Sequence, residues 1–331
     1  MADLDPTTIG IIWQRLIYVA EEQAKTLVRA SFTSQSGEMQ DISSAIFDTR
    51  GNMIAEGITG TVGIITALMQ GLKHFVREYP PESLAPGDVL VSNDPWILSG
   101  HTFDIAVVRP VFLRESCVGY TATVTHLTDI GGKGWATVTA DIYEEGLRIP
   151  IMKLFRSCPT RPGLRLSLQG ERNEDLFRIL KLNVRTPDQV EGDLMAQVAA
   201  TEVGAQRLAE LLEEYDLEDL EEVGQEICAR TEAATREAVR TVPPGVYKGE
   251  SFLDGFEAPL RIAATVTAEG DRLVVDYAGT SPQIPRGINA AYNYTLAHTV
   301  FNIKASLCPD IPNNEGGYRD ALILKTVWAR V

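Results

Sequence analysis

Two of the four histidines in this 331-residue chain fall in one stretch, SNDPWILSGHTFDIAVVRPVFLRESCVGYTATVTHLTDIGG, from Ser92 to Gly132. Imidazole nitrogen and carboxylate oxygen together are the donor set of a divalent-metal site. Here they are supplied by His101, Asp104 and His126. Whether the three can meet depends on what joins them. Ile105–Val108 and Val118–Val124 are rich in β-branched residues and read as strands, with Leu113-Arg114-Glu115-Ser116 polar enough to turn between them. With a three-residue loop at 114–116, Asp104 faces His126, and residues so paired have Cβ atoms about 4.5–5.5 Å apart. His101 emerges from the Ser99-Gly100 turn three residues earlier. The same juxtaposition also suits an ordinary hydrogen-bonded His–Asp pair, and a register slip of one residue would turn His126 to the opposite face. Spacing alone leaves these readings open.

Strands able to hold such a hairpin need a core, and 44% hydrophobic against 23% charged residues is ample for one. The balance of 30 basic and 45 acidic residues, net −15, argues against a nucleic-acid backbone or an anionic membrane as partner. No apolar run reaches 18 residues, and no basic segment leads into an apolar one at the start. The expectation is a cytoplasmic chain that neither spans a membrane nor is exported. Cys117, Cys158, Cys228 and Cys308 show no CxxC spacing, which points to reduced thiols.

In chain order, Asp5-Pro6-Thr7-Thr8 starts a helix that ends near Ala30. Ile9, Ile12, Leu16, Val19 and Ala20 form its apolar stripe, with Glu21 and Glu22 on the polar side. Asp41–Asp48 and Met53–Ala55 read as paired strands, followed by a helix over about 64–79 that stops at Pro80-Pro81. Val89–Val91 is a short strand, and Tyr143–Pro150 reads as a turn between extended pieces. Residues 157–170 form a loop, and helices follow from Asn173, from Thr186 to Glu214 and over 220–240. After Pro243-Pro244-Gly245 come strands at 247–253, 260–268 and 272–276, then a helix over 289–307 with Tyr292, Leu296 and Phe301 inward.

The expected fold class is therefore α+β in three parts: an α+β region with the hairpin (1–185), a helical segment (186–242) and a β-rich region (243–331). A terminal strand at 327–331 without a closing cap suggests a fragment, with 320–331 covered by a partner or by further chain. No GxxxxGK[ST] loop exists, and Gly131-Gly132-Lys133-Gly134 lacks a strand-to-helix setting. The chain by itself is not expected to bind ATP. The GxSxG elbow of serine hydrolases is absent too.

Several motifs in shared order resemble the hydantoinase B/oxoprolinase family over most of the chain. They are Asp41-Ile-Ser with Ala45-Ile-Phe-Asp48-x-x-Gly51, Asn93-Asp94-Pro95 before His101-x-x-Asp104, and His126-x-x-Asp129-Ile-Gly-Gly132. Glu145-Gly146-Leu147-x-Ile149-Pro150, Asn173-Glu174-Asp175-Leu176, Val184-Arg-x-Pro187-Asp188-Gln189 with Gly192-Asp193, and Gly279-Thr280-Ser281-Pro282-Gln283 complete the series. The resemblance implies a divalent-metal site of Asp41, His101, Asp104 and His126, suited to Zn²⁺ or Mn²⁺. It also implies an A-type subunit, similar to actin-like ATPases, that binds ATP and phosphorylates the substrate, and hence a hetero-oligomer acting on a small molecule.

The implied reaction is hydrolytic opening of a hydantoin, lactam or 5-oxoproline ring by water at the metal, with carboxylation of a ketone as the alternative and a non-catalytic scaffold as a third reading. Asp129 would serve as general base or would orient His126. Two departures bear on specificity: Gly57–Gly63 holds no histidine where the family often has one, and Leu127 replaces the second histidine of a pair.

Overall fold

The computed structural model describes residues 5–134, 136, 138–157, 170–317 and 321–325, with only the backbone at 62 and 65. Helix α1 (Pro6–Ala30) begins where the Asp5 carboxylate accepts from the amides of Thr7 and Thr8 and Pro6 opens the helix. A single turn, α2 (Ser34–Gly37), leads to β1 (Ile42–Phe47), β2 (Met53–Glu56), α3 (Val62–Glu78) and β3 (Val89–Ser92). The hairpin β4 (Asp104–Leu113) and β5 (Ser116–His126) follows, then α4 (Ile142–Glu145), β6 (Met152–Ser157) and β7 (Gly170–Arg172). Three helices come next: α5 (Glu174–Asn183), α6 (Pro187–Glu214) and α7 (Glu221–Arg240). The last part holds β8 (Gly245–Leu253), β9 (Leu260–Glu269), β10 (Arg272–Asp276), α8 (Tyr292–Leu307) and β11 (Leu322–Lys325). The fold is α+β, as the sequence implies.

Seven strands form an antiparallel sheet in the order β2-β1-β5-β4-β3-β6-β7, and four more form a second sheet, β11-β10-β9-β8. The β4–β5 hairpin lies at the middle of the larger sheet, and both of its faces are covered. Ala106, Val108, Tyr120, Ala122 and Val124 pack with Leu68, Leu72 and Phe75 of α3. Their alternates Ile105 and Val107 pack with Val190, Leu194 and Val198 of α6 on the other face. Burial on two faces explains why these strands are apolar almost without interruption. Phe47, Phe75 and Tyr120 are wholly buried, and truncating such a ring to alanine typically costs about 3–5 kcal/mol.

On the α6 face the packing also has a polar seam. Thr121 Oγ1 donates to Thr201 O at 2.9 Å, and Thr123 Oγ1 lies 3.1 Å from the Gln197 amide. Buried Arg109 pairs with Glu202 at 2.9 Å. The Asp193 carboxylate accepts from Phe32 N at 2.7 Å and from the Thr33 hydroxyl at 2.5 Å, tying α6 to the end of α1.

Several local expectations are corrected. The hairpin turns through two residues, Arg114 and Glu115, with φ of 50° and 74°, which is the geometry of a tight primed turn. Ser116, expected in the loop, pairs with Leu113, and the one-residue difference is taken up by a bulge at Val118, since Val111 pairs with Gly119 but Phe112 with Cys117. The turn expected from Tyr143 begins as a single helical turn at 142–145, capped by Asp141. Glu21 is buried, because its carboxylate accepts from Ile58 N, Thr59 N and the Thr59 hydroxyl. On α8 the buried residues are Asn293, Ala297, Thr299 and Val300, whereas Tyr292 and Phe301 are 47% and 41% exposed.

Residues 158–169, with Cys158, and the strand expected at 327–331 lie outside the described residues. Among the described residues no helix is long and apolar enough to cross a membrane.

Among the described residues, Glu56 at the end of β2 carries one buried oxygen without a hydrogen-bond partner. Burial pushes its carboxyl up to about 8, a hydrogen bond from Asn313 and the charge of Lys304 opposing only in part. Between the ordinary carboxylate value and about 8, the folded state keeps a proton that the unfolded state has lost, so stability falls as pH rises through that window. Glu56→Gln removes the penalty. Its melting temperature should gain over wild type at pH 8 and match it near pH 4.5 in scanning calorimetry. An equal shift at both pH values would show that the Glu56 charge is not the cause.

Candidate metal centre

Asp104 opens β4 and faces His126, the last residue of β5. The pair is held because both strands are buried on both sides, where a slip would drive threonines into the α3 core. His126 Nδ1 lies 3.1 Å from Asp104 Oδ1, and His101 Nε2 lies 3.3 Å from Asp104 Oδ2. The Ser99 hydroxyl makes a short hydrogen bond to Oδ2 as well. One ligand atom from each of His101, Asp104 and His126 falls within 4.8 Å of the others. The imidazole rings meet edge-on, centroids 5.0 Å apart, and Phe103 stacks on His126 at 5.2 Å. Two nitrogens and a carboxylate oxygen converging on one point fit a divalent ion.

Asp41, the fourth candidate, flanks this trio. Its Oδ2 is 4.0 Å from His126 Nδ1, and Oδ1 accepts from the Thr61 hydroxyl at 2.9 Å. Its backbone carbonyl accepts from His126 N at 3.1 Å, continuing the β1–β5 pairing.

Asn93 sets the loop that carries His101. Its amide nitrogen donates to Thr102 O and Leu147 O, and its oxygen accepts from Ile149 N. Three bonds from one buried side chain thus pin the 99–103 loop to the 147–149 segment.

The electrostatics are those of a buried charge with two bases. Burial opposes ionisation of Asp104, yet the hydrogen bond from His126 and the charges of both histidines hold its carboxyl below the usual range. Burial favours neutral His126, but Asp104 outweighs it and the pKa ends above the ordinary value. At His101 burial prevails over the Asp104 charge, and the pKa is lowered.

Asp129 is held by backbone and guanidinium donors. Its Oδ1 accepts from Gly131 N at 3.0 Å and Arg185 Nη1 at 2.8 Å, and its Oδ2 takes a short bond from Arg185 N. Arg185 Nη2 also donates to Gly132 O. The carboxylate therefore ties the 129–132 turn to the segment entering α6. A shallow cleft of about 380 Å³, lined by Phe103, Thr128, Asp129, Gly134, Arg185 and Thr186, opens beside it.

One acidic residue near the trio escaped the sequence reading. Glu145 is buried and its Oε1 accepts from Thr102 N at 3.2 Å. Burial holds its carboxyl above the usual range; the Thr102 amide lowers it, Asp104 raises it further and His126 opposes. The signal lay in the Glu145-Gly146-Leu147 motif, whose position gave no hint of what it would approach.

The hydantoinase B/oxoprolinase family model matches residues 5–324. The chain belongs to this family. It is 32% identical over 327 residues to caprolactamase subunit beta of Pseudomonas jessenii, covering 96% of this chain and 53% of that one. The crystal structure of the ATP-dependent caprolactamase from Pseudomonas jessenii superposes with a TM-score of 0.84 at 30% identity, over 98% of this chain and 54% of that one. A nucleotide-free acetone carboxylase has the same fold, with a TM-score of 0.83 at 17% identity, over 96% and 43% of the two chains. The chain thus spans about half the length of the caprolactamase subunit it matches.

Two variants separate ligand from scaffold. His126→Ala should abolish bound Zn²⁺ or Mn²⁺ by elemental analysis and keep a native circular-dichroism spectrum, at the cost of a lowered melting temperature because buried Asp104 loses a partner. Asp129→Ala should keep its metal but lose about 1–3 kcal/mol of stability, since the Arg185 and Gly131 donors lose their acceptor. Full metal occupancy in His126→Ala would overturn the ligand assignment.

Proposed function

We propose that this chain carries the metal centre of the B-type component of an ATP-dependent amidohydrolase that opens a cyclic amide. The observation that carries this reading is the convergence of His101, Asp104 and His126 on one point, within 4.8 Å, in a chain of this family. The identity to caprolactamase subunit beta supports the cyclic-amide substrate class. His101, Asp104 and His126 would hold the ion, with Asp41 beside them as a fourth donor. When bound, a divalent ion supplies a Lewis acid that polarises a carbonyl and lowers the pKa of water.

The protein groups have separable tasks. Asp104 fixes both imidazoles through its two oxygens, and Phe103 holds the His126 ring in plane. Asn93 keeps the loop bearing His101 in register with the strand end. Asp129, its oxygens already occupied by three donors, is assigned to positioning the 129–132 turn rather than to proton transfer. Glu145 is the carboxyl we assign to handling a proton beside the centre. ATP would be bound by an A-type ATPase subunit, consistent with the lack of a phosphate loop in this sequence.

The test reconstitutes the protein with its ATPase component and supplies ATP with hydantoin, 2-pyrrolidone or 5-oxoproline. Ring-opened product and ADP should appear together, stop on chelation and return with Zn²⁺ or Mn²⁺. Incorporation of labelled bicarbonate from a ketone substrate would establish carboxylation instead. Turnover indifferent to chelators, by a metal-free complex, would leave this chain a scaffold.

A further inference from the structure

Helix α8 joins the two sheets. Leu296 and Val300 pack into the core under α3, while Ile303 and Leu307 pack with Val266, Ala268 and Leu273 of the smaller sheet. Between α8, strands β9 and β10 and the 280–290 loop lies a cavity of about 540 Å³. Its walls are largely aliphatic, with Leu260, Ile262, Val266, Ile284 and Ile288 among them. Most polar groups on its lining are engaged by the protein. Thr280 Oγ1 bonds both N and O of Ala263, Ser281 Oγ accepts from Arg261 N, and Tyr277 bonds Thr299. The Arg261 guanidinium is matched by Glu250 at 2.9 Å.

Three polar side chains of the lining are left, His298, Tyr294 and Gln283, the first two side by side at the end nearest the 96–100 loop. Among the described residues, neither the His298 ring nor the Tyr294 hydroxyl has a hydrogen-bond partner. Their rings lie against each other, centroids 4.2 Å apart. This end adjoins the metal centre. A side chain at Gly100, the residue before His101, would meet Tyr294 Cβ at 3.1 Å, and one at Gly63 would meet His298 Cε1 at 3.2 Å. Asn293 Nδ2 donates to Trp96 O at 3.1 Å, fixing the start of α8 to the loop that leads to the centre. Partial burial lowers the His298 pKa, which keeps the ring neutral, able to donate at one nitrogen and accept at the other.

We propose that this cavity is the chamber for the body of the substrate, with Tyr294 and His298 holding its polar end beside His101. The inference rests on the cyclic-amide reading and narrows it. An aliphatic chamber whose one cation is already paired suits a neutral ring amide bearing an apolar substituent, such as a 5-substituted hydantoin or alkyl lactam, and disfavours a carboxylate-bearing ring such as 5-oxoproline. His298 is then a specificity residue: one ring nitrogen meets one half of the amide group, as donor or acceptor, and the Tyr294 hydroxyl meets the other.

Calorimetric binding to the protein assembled with its ATPase component, without ATP, tests this independently of turnover. The probes are 5-benzylhydantoin, unsubstituted hydantoin and 5-oxoproline. The benzyl compound should bind about tenfold or more tightly than the other two, through its buried ring. His298→Ala should weaken it by about tenfold and Ile262→Trp, which fills the chamber, should abolish it, both variants retaining wild-type metal content and melting temperature. Equal or tighter binding of 5-oxoproline, no binding of any probe, or wild-type affinity in both variants would overturn the chamber. If 5-benzylhydantoin binds as expected but is not opened with ATP, the chamber stands and the amidohydrolase reading falls. If rings are opened with kinetics untouched by either variant, the reverse holds.

Discussion

A carboxylate exposed by only 1%, Asp104, has lost nearly all its water. Desolvating an ion costs several kcal/mol even after relaxation, and only partners held at hydrogen-bond distance repay it. Here the partners are two imidazoles and a hydroxyl, and each is held from a different direction. His126 is fixed by strand pairing, His101 by the loop that Asn93 clamps, and Ser99 by the turn before it. The arrangement of β4, β5 and the 99–103 loop can be read as what is needed to keep that one charge satisfied. Because the donors are preset by packing, an ion entering this trio would find its ligands already ordered.

The surroundings of the hairpin reinforce this. One face meets the aliphatic layer of α3, which sets where the strands lie but leaves sliding possible. The other carries the threonine seam of β5 and the buried Arg109–Glu202 pair against α6. Directional bonds on that side admit one longitudinal position of the helix. Asp193, 161 residues beyond Phe32 in sequence, closes the same helix onto Phe32 and Thr33. Apolar layers supply the bulk of the stability and the polar seam supplies the register.

Much of this was legible in the chain. The β-branched alternation of 105–108 and 118–124 gave the hairpin and its pairing at the site, although the turn was assigned three residues instead of two. Turn and bulge compensate, so the register at Asp104 and His126 came out the same. What stayed hidden depends on contacts distant in sequence. Nothing near Asp129 announced Arg185, and nothing near Glu21 announced the amides of Ile58 and Thr59 that draw it inside. Glu145 stood in a recognised motif, but its approach to Thr102 follows from how 141–149 folds back over the loop. On α8, Leu296 packs inward as expected, but Tyr292 and Phe301 stay half exposed while Asn293 and Thr299 are buried, because the helix is wedged between two sheets and serves both.

The far end of the hairpin offers a practical handle. Arg114 and Glu115 are exposed and stand about ten residues up the strands from the centre, roughly 33 Å at ordinary strand rise. The bulge beside them already absorbs one unmatched residue without passing a shift down the ladder. An epitope or a fluorophore-bearing peptide spliced at that tip would therefore sit remote from the histidines, and would report on assembly with other chains while leaving the centre undisturbed.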